Sequence, residues 1–267
     1  MPRRRPQTVA IIPARLGSTR FPRKVLADDT GLPLIVHVMR AAARCRSLTR
    51  VVVATDAAEV AGAVGSHGGE CVMTRADHPN GTSRLAEASR KLGLEPDDLV
   101  VNVQGDEPEM EPAFITAAVG ALRRSGLAVS TVAVPFAAGD DPSNPNIVKV
   151  VTDRSGRALY FSRARIPFVR DAGEAGVSPP LRHVGLYVYR AGFLRVYTRL
   201  APSPLERAES LEQLRVLWHG HGIRVAVCGG EAPAGIDTPE QYRAFVERFA
   251  RAGGKNPVRV VRRRAAP

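Results

Sequence analysis

Three short aliphatic runs most restrict what this chain can become: TVAIIP at 8–13, RVVVA at 50–54 and LVVNV at 99–103. Each is almost continuously apolar rather than alternating, the pattern of a strand covered on both faces. Stretches with helical spacing follow at 33–44, from about Asp56, at 83–92 and from beyond Pro112 to about Arg124, with a further short strand at 70–73. Strands that alternate with helices need crossover connections, so the expected fold is α/β, a mainly parallel sheet flanked by helices. Ligands in such sheets bind beyond the carboxyl ends of the strands, which brings together the loops after Ile12 and Val103.

The rhythm changes after a strand at 129–136. Segments 147–153, 157–163 and 183–190 read as strands with little helix between them, so a smaller antiparallel insertion is expected over about residues 140–200, supplying a second pocket or a subunit interface. Helix returns at 205–218, a last strand at 223–228, and Thr238-Pro239-Glu240 opens a final helix. One domain over 8–251 follows. The loop at 170–180, rich in Gly, Asp, Glu and Pro, reads as mobile, and residues 1–7 and 252–267 read as basic, disordered ends.

The net charge of +12 raises nucleic-acid binding as a competing class of function, but Arg3, Arg4, Arg5, Lys255, Arg259, Arg262, Arg263 and Arg264 carry much of it at the two ends. The mildly basic body left between them suits a polyanionic small substrate, and the ends read as solvated arms touching nucleic acid only nonspecifically and salt-sensitively. No stretch nears the roughly 20 apolar residues that span a bilayer. The amino terminus runs into a strand without a signal peptide, so no membrane insertion and a cytoplasmic location are expected. Cys45, Cys71 and Cys228 form no CxxC pair and read as inert thiols.

The loop ARLGSTRFPRK gathers Arg15, Arg20, Arg23 and Lys24 with Ser18 and Thr19 directly after a buried strand. Such cations and hydroxyls neutralise and bind a triphosphate, although on spacing alone a solvated basic loop fits equally. In QGDEP, Asp106 is suited to hold a divalent ion against phosphates, and Glu107 to hold metal or cap the following turn. Asp237 in GIDTP can bind metal or cap the helix at Pro239.

Taken in order, AR-x-x-STR-x-P-x-K from Ala14, ATD from Ala54, MTRADHPNGTSR from Met73, VNVQGDEP from Val101, NPNIVKVV from Asn144, ALYFSRARIP from Ala158, RHVGLYVYR from Arg182 and SPLERAESLEQLRVLWHG from Ser203 closely resemble the 3-deoxy-manno-octulosonate cytidylyltransferases, or CMP-KDO synthetases. The resemblance runs from about Val9 to Phe249. It implies a Rossmann-like nucleotidyltransferase sheet, a homodimer, and transfer of CMP from CTP to the acidic sugar 3-deoxy-D-manno-octulosonate (KDO), with release of pyrophosphate, for lipopolysaccharide or other surface polysaccharide. It implies CTP phosphates against Arg15, Ser18 and Lys24, the nucleoside near Ala14 and the Arg75 to Gly81 region, and Mg2+ between Asp106 and Asp237. The sugar falls to Arg84, Gln104, Arg163, His183, Tyr187, Glu212 and Gln213. Arg15, Lys24, Asp106 and Asp237 are the expected catalytic group.

Three positions depart from the family pattern: Arg23 stands for a glycine, Val25 for a proline and Ser83 for a glutamate. Arg23 adds charge to the phosphate loop. Ser83 alters a contact near Arg84 and keeps open a different acidic ulosonate, 8-amino-KDO or a sialic-type sugar. His219 and His221 match no ligand position and are not read as a metal pair, His37 reads as packed or surface, and Trp218 as core or interface. Tyr187 and Tyr189 alternate along a strand, so only one of them is expected to face the ligand.

Overall fold

The computed structural model describes residues 4–171 and 179–254. Its backbone is a sheet in the order β3-β2-β1-β4-β8-β5-β9, comprising β1 (Thr8–Ala14), β2 (Arg50–Thr55), β3 (Glu70–Met73), β4 (Leu99–Asn102), β5 (Val129–Pro135), β8 (Leu181–Arg190) and β9 (Ile223–Val227). β1 to β4 run parallel, as expected. Strand β1 shows why: Ala10 and Ile12 enter one core and Val9 and Ile11 the opposite one, all four fully buried. Helices therefore cover both faces. On the first face lie α1 (Leu34–Ala43), α2 (Ala58–Ser66) and α4 (Pro112–Ser125); on the second lie α3 (Gly81–Lys91), α5 (Ala191–Tyr197) and α7 (Gln213–Trp218).

The expected insertion at 140–200 is smaller than the sequence implied. Only β6 (Lys149–Thr152) and β7 (Ala158–Ser162) lie off the main path, as an antiparallel pair whose β6 also touches β8. Strand β8 enters the main sheet, antiparallel to both β4 and β5. Its Val184, Leu186 and Val188 join the first core while Tyr187 and Tyr189 join the second, so burial on both faces holds it centrally.

The helix expected at 205–218 is two helices, α6 (Pro204–Glu209) and α7. Ser203 and Glu206 form a reciprocal cap at the start of α6, and Ser210 ends it in the left-handed conformation at φ 51°. Helix α5, unforeseen, follows β8 directly. The final helix, α8 (Pro239–Arg251), is capped by Thr238 with Gln241, not by Asp237, whose carboxylate is thereby free for other partners.

At the amino end the expected disorder of 1–7 does not extend to Arg4, whose guanidinium lies 2.5 Å from the Asp98 carboxylate, or to Gln7, whose amide donates to Asp98 at 2.7 Å. Most of the loop expected to be mobile, 172–178, and of the carboxyl-terminal arm, 255–267, lies outside the described residues.

Candidate active site

The loops after β1 and β4 meet as the strand order required. Gly105 passes so close to β1 that a β-carbon there would lie 2.6 Å from the Pro13 carbonyl oxygen, which explains the glycine in QGD. Above this contact opens a cleft of about 930 Å3. Its lining includes two groups: Ala14, Arg15, Ser18, Lys24, Asp106 and Asp237, several of them joined through Lys24, and Arg84, Gln104, His183, Tyr187, Glu212 and Gln213.

On the first side, residues 15–24 form a closed loop: the Arg23 amide donates to the Leu16 carbonyl at 3.3 Å and the Phe21 amide to Ser18 Oγ at 3.4 Å. Closure puts Arg23 at φ 57°, a left-handed conformation that favours glycine, the family's residue. The Arg23 guanidinium bonds Glu59 of α2, so the expected extra charge for the phosphates is turned away to a surface pair. Lys24 begins a short 3-10 turn, Lys24–Leu26, and points back into the cleft. Its ammonium lies 2.6 Å from Asp106 Oδ2 and 3.0 Å from Asp237 Oδ1, and donates to the Ile236 carbonyl at 2.8 Å. Burial pulls the Lys24 pKa down, but the Asp106 and Asp237 carboxylates outweigh it and leave the ammonium above its ordinary value. Arg20 pairs with the other oxygen of Asp237 at 3.0 Å.

Two carboxylates from distant segments thus converge on one cation position. Among the described residues no cluster of three or more His, Cys, Asp or Glu could hold a metal. That donor set does not cage an ion alone. It fits a hard divalent ion that keeps waters and completes its shell with substrate phosphates. Glu107, the other carboxyl of the motif, is buried: burial and the neighbouring Asp106 push it up to about 8, and its Oε2 has no hydrogen-bond partner. It faces a smaller adjoining cavity of about 230 Å3.

The opposite wall is drier. A register shift where β8 passes Thr131 and Val132 of β5 re-aims the strand, and Gln104 Nε2 donates to the Gly185 carbonyl there at 3.2 Å. Burial pulls the His183 imidazole down to about 3, and Thr131 Oγ1 lies 2.9 Å from its Nε2. Tyr187 and Tyr189 both line the cleft and stack with ring centroids 5.9 Å apart. The expectation that only one faces the ligand fails because residues two apart on a strand point the same way. Arg84 is buried on α3, 3.0 Å from Asp56 and 2.5 Å from Thr74 Oγ1. The left-handed Ser210 turns the chain so that Leu211, Glu212 and Gln213 enter the wall.

Two expected site residues do not line the cleft. Arg75 is exposed, with Asp77 at 3.5 Å and Glu87 at 3.6 Å. Arg163 instead braces the wall from behind, donating to the carbonyls of Glu209 at 2.7 Å and Pro145 at 3.0 Å. Of the 75–81 region expected near the nucleoside, residues 78–81 do line the cleft, whereas sequence reading missed Thr82, Asn102 and Tyr189 as site residues, all of which line it. Only the i, i+2 spacing of the tyrosines could have signalled one of them. His219 Nε2 contacts the Ala201 carbonyl at 3.0 Å and His221 packs edge-on against Phe193, so neither joins a metal pair. His37 is buried against Phe245 and Phe249, and Trp218 is 53% exposed rather than core.

Residues 9–223 match the cytidylyltransferase family. The chain is 54% identical over 247 residues to the 3-deoxy-manno-octulosonate cytidylyltransferase of Leptothrix cholodnii, covering 90% of each, and 52% identical over 239 residues to that of Syntrophobacter fumaroxidans, covering 89% of this chain and 95% of the relative. A solved structure of CMP:2-keto-3-deoxy-manno-octonic acid synthetase complexed with CTP superposes with a TM-score of 0.85 at 39% identity, over 92% of this chain and 99% of the other. A cytidylyltransferase from Leptospira borgpetersenii shares the fold, with a TM-score of 0.59 at 14% identity over 92% of this chain and 87% of the other.

Proposed function

The chain belongs to the cytidylyltransferase family, and on that premise we propose that it transfers CMP from CTP to KDO, releasing pyrophosphate. The observation that carries this reading is the meeting of Lys24, Asp106 and Asp237 within 3.0 Å on one side of a cleft whose other side presents buried polar groups suited to a polyhydroxylated acid.

The sugar's anomeric hydroxyl attacks the α-phosphorus in line with the departing pyrophosphate, and the protein's task is positioning and charge neutralisation. Arg15, Ser18 and Lys24 bind the phosphates at the end of β1. Arg84, held rigid by Asp56 and Thr74, takes the sugar carboxylate, while Gln104, His183, Tyr187, Glu212 and Gln213 take its hydroxyls. Neutral His183 can donate or accept without bringing a competing charge. Asp106 and Asp237 would hold a divalent ion, Mg2+ in this reading, which supplies phosphate charge neutralisation and acidifies the attacking hydroxyl. Arg75 and Arg163 act outside the contact set: Arg163 supports the turn that carries Glu212.

Pyrophosphate release from CTP with magnesium, with KDO, 8-amino-KDO and sialic acid compared and the CMP-sugar identified, tests the reading. Turnover with KDO alone is expected; preference for another sugar moves the substrate, and no CMP-sugar from any of the three overturns the function. A homodimer is part of the same reading. Leu159 and Phe168, in and just beyond the β6–β7 pair, are 61% and 84% exposed, and sedimentation at micromolar concentration should return twice the chain mass. No helix among the described residues is long and apolar enough to cross a membrane.

A further inference from the structure

Resting on the KDO reading, we propose that Thr82 is the residue of the α3 entry turn that governs sugar binding, as a positioning residue that holds Glu212 for the sugar's hydroxyls, and that the neighbouring Ser83 has no part in sugar choice. Thr82 sits in the first turn of α3, is buried and lines the cleft. Its hydroxyl donates to Glu212 Oε2 at 2.8 Å, joining segments 130 residues apart.

Glu212 stands at the start of α7, two residues beyond the left-handed Ser210. The charged and titratable groups around it are Glu206, Arg215 and the hydroxyls of Tyr187, Tyr189 and Tyr197. Burial raises the Glu212 carboxyl, and the Thr82 hydroxyl and amide work against that, favouring the charged acceptor. A carboxylate offers about four lone-pair sites, so the hydroxyl and amide of Thr82 together orient it and still leave acceptor capacity for ligand hydroxyls. A site built to hydrogen-bond hydroxyls loses affinity when its own acceptor is left to rotate.

Ser83 does a different job. Its amide donates to Asn80 Oδ1 at 2.9 Å and its hydroxyl to the Asn80 carbonyl at 2.8 Å, and it does not line the cleft. Asn80 is the N-cap of α3 and Ser83 its N3 residue, the place where a glutamate closes a capping box. The departure from the family's glutamate is therefore a change of helix cap.

The test is steady-state CMP-KDO formation by the full chain with CTP and magnesium, comparing wild type with Thr82→Val, Thr82→Ser and Ser83→Glu. Thr82→Val is expected to raise the KDO KM about tenfold, equivalent to about 1.4 kcal/mol, with the CTP KM unchanged. Thr82→Ser restores the KDO KM, and Ser83→Glu leaves both constants at wild-type values. A wild-type KDO KM in Thr82→Val, an equal rise in the CTP KM, failure of Thr82→Ser to rescue, or a raised KDO KM in Ser83→Glu would each overturn the inference. Absence of CMP-KDO from the wild-type chain would instead sink the KDO reading, and this inference with it.

Discussion

The two sides of the cleft are built on opposite principles. The phosphate side is wet and densely charged: Lys24 is paired with Asp106 and Asp237, whose side chains are 28% and 41% exposed, and most of its residues come from one loop after β1. The proposed sugar side is assembled from α3, β8, the α6–α7 turn and Gln104 just beyond β4; Arg84 and the stacked tyrosines are buried there, and His183 and Glu212 half-buried. Solvent-accessible charges can exchange partners when a polyanion arrives, because water screens both states. An unpaired buried polar group is costly, and Thr74, Thr82 and Thr131 hold Arg84, Glu212 and His183 in place beforehand, whereas the buried Tyr187 hydroxyl has no hydrogen-bond partner. On the proposed assignment, exchangeable ion pairs would serve the nucleotide side and preorganisation the sugar side.

Experiments can break that contrast. Lys24→Met should have the largest effect, lowering kcat/KM for CTP by about 10²- to 10³-fold, since it removes the cation aimed at developing phosphate charge. The KDO KM should barely move; if both substrates suffer alike, the two sides are not separable. Asp237→Asn comes next, with a magnesium requirement shifted upward on the order of tenfold or more. Full activity at the wild-type magnesium concentration would remove Asp237 from the metal.

The third effect is on stability. His183 is held neutral down to about 3, whereas an unfolded histidine titrates near 6.5. As pH falls from about 6.5 towards 3 the unfolded chain takes up a proton that the folded chain refuses, so stability drops by up to about 1.4 kcal/mol per pH unit from this residue. Urea midpoints for His183→Gln should decline less steeply between pH 6 and 4 than those of wild type. Equal slopes would mean that His183 is not held dry. Smallest is Arg23→Gly. It relieves a left-handed non-glycine residue and loses only an exposed ion pair, so a net change within about 1 kcal/mol on the stabilising side is expected, with kcat unchanged. A clear fall in CTP affinity would return Arg23 to the phosphate site.

The phosphate side was the more legible in the sequence because its residues are contiguous. Arg15, Ser18 and Lys24 lie within ten positions of each other after a recognisable strand, and Asp106 follows another. On the sugar side, residue identity came from resemblance, and placement erred where neighbours along the chain are not neighbours in space. Arg163 follows β7 yet turns behind the wall to carbonyl oxygens at 209 and 145, a choice made by packing against α6. Thr82 carried no signal, since a threonine after an N-cap looks like helix start and nothing more.

Local pattern alone determined the parallel β1–β4 sheet, the positions of most helices and the basic loop at the mouth of the site. These depend on apolar periodicity and on turn chemistry, which act over a few residues. Tertiary structure decided that β8 would leave the insertion for the middle of the sheet, that Ser210 would break a continuous helical pattern, and that Thr238 would relieve Asp237 of capping. In each case the local pattern allowed two outcomes. What chose between them was which surfaces could be covered and which buried polar groups could be paired, and both are set by partners up to 213 residues away.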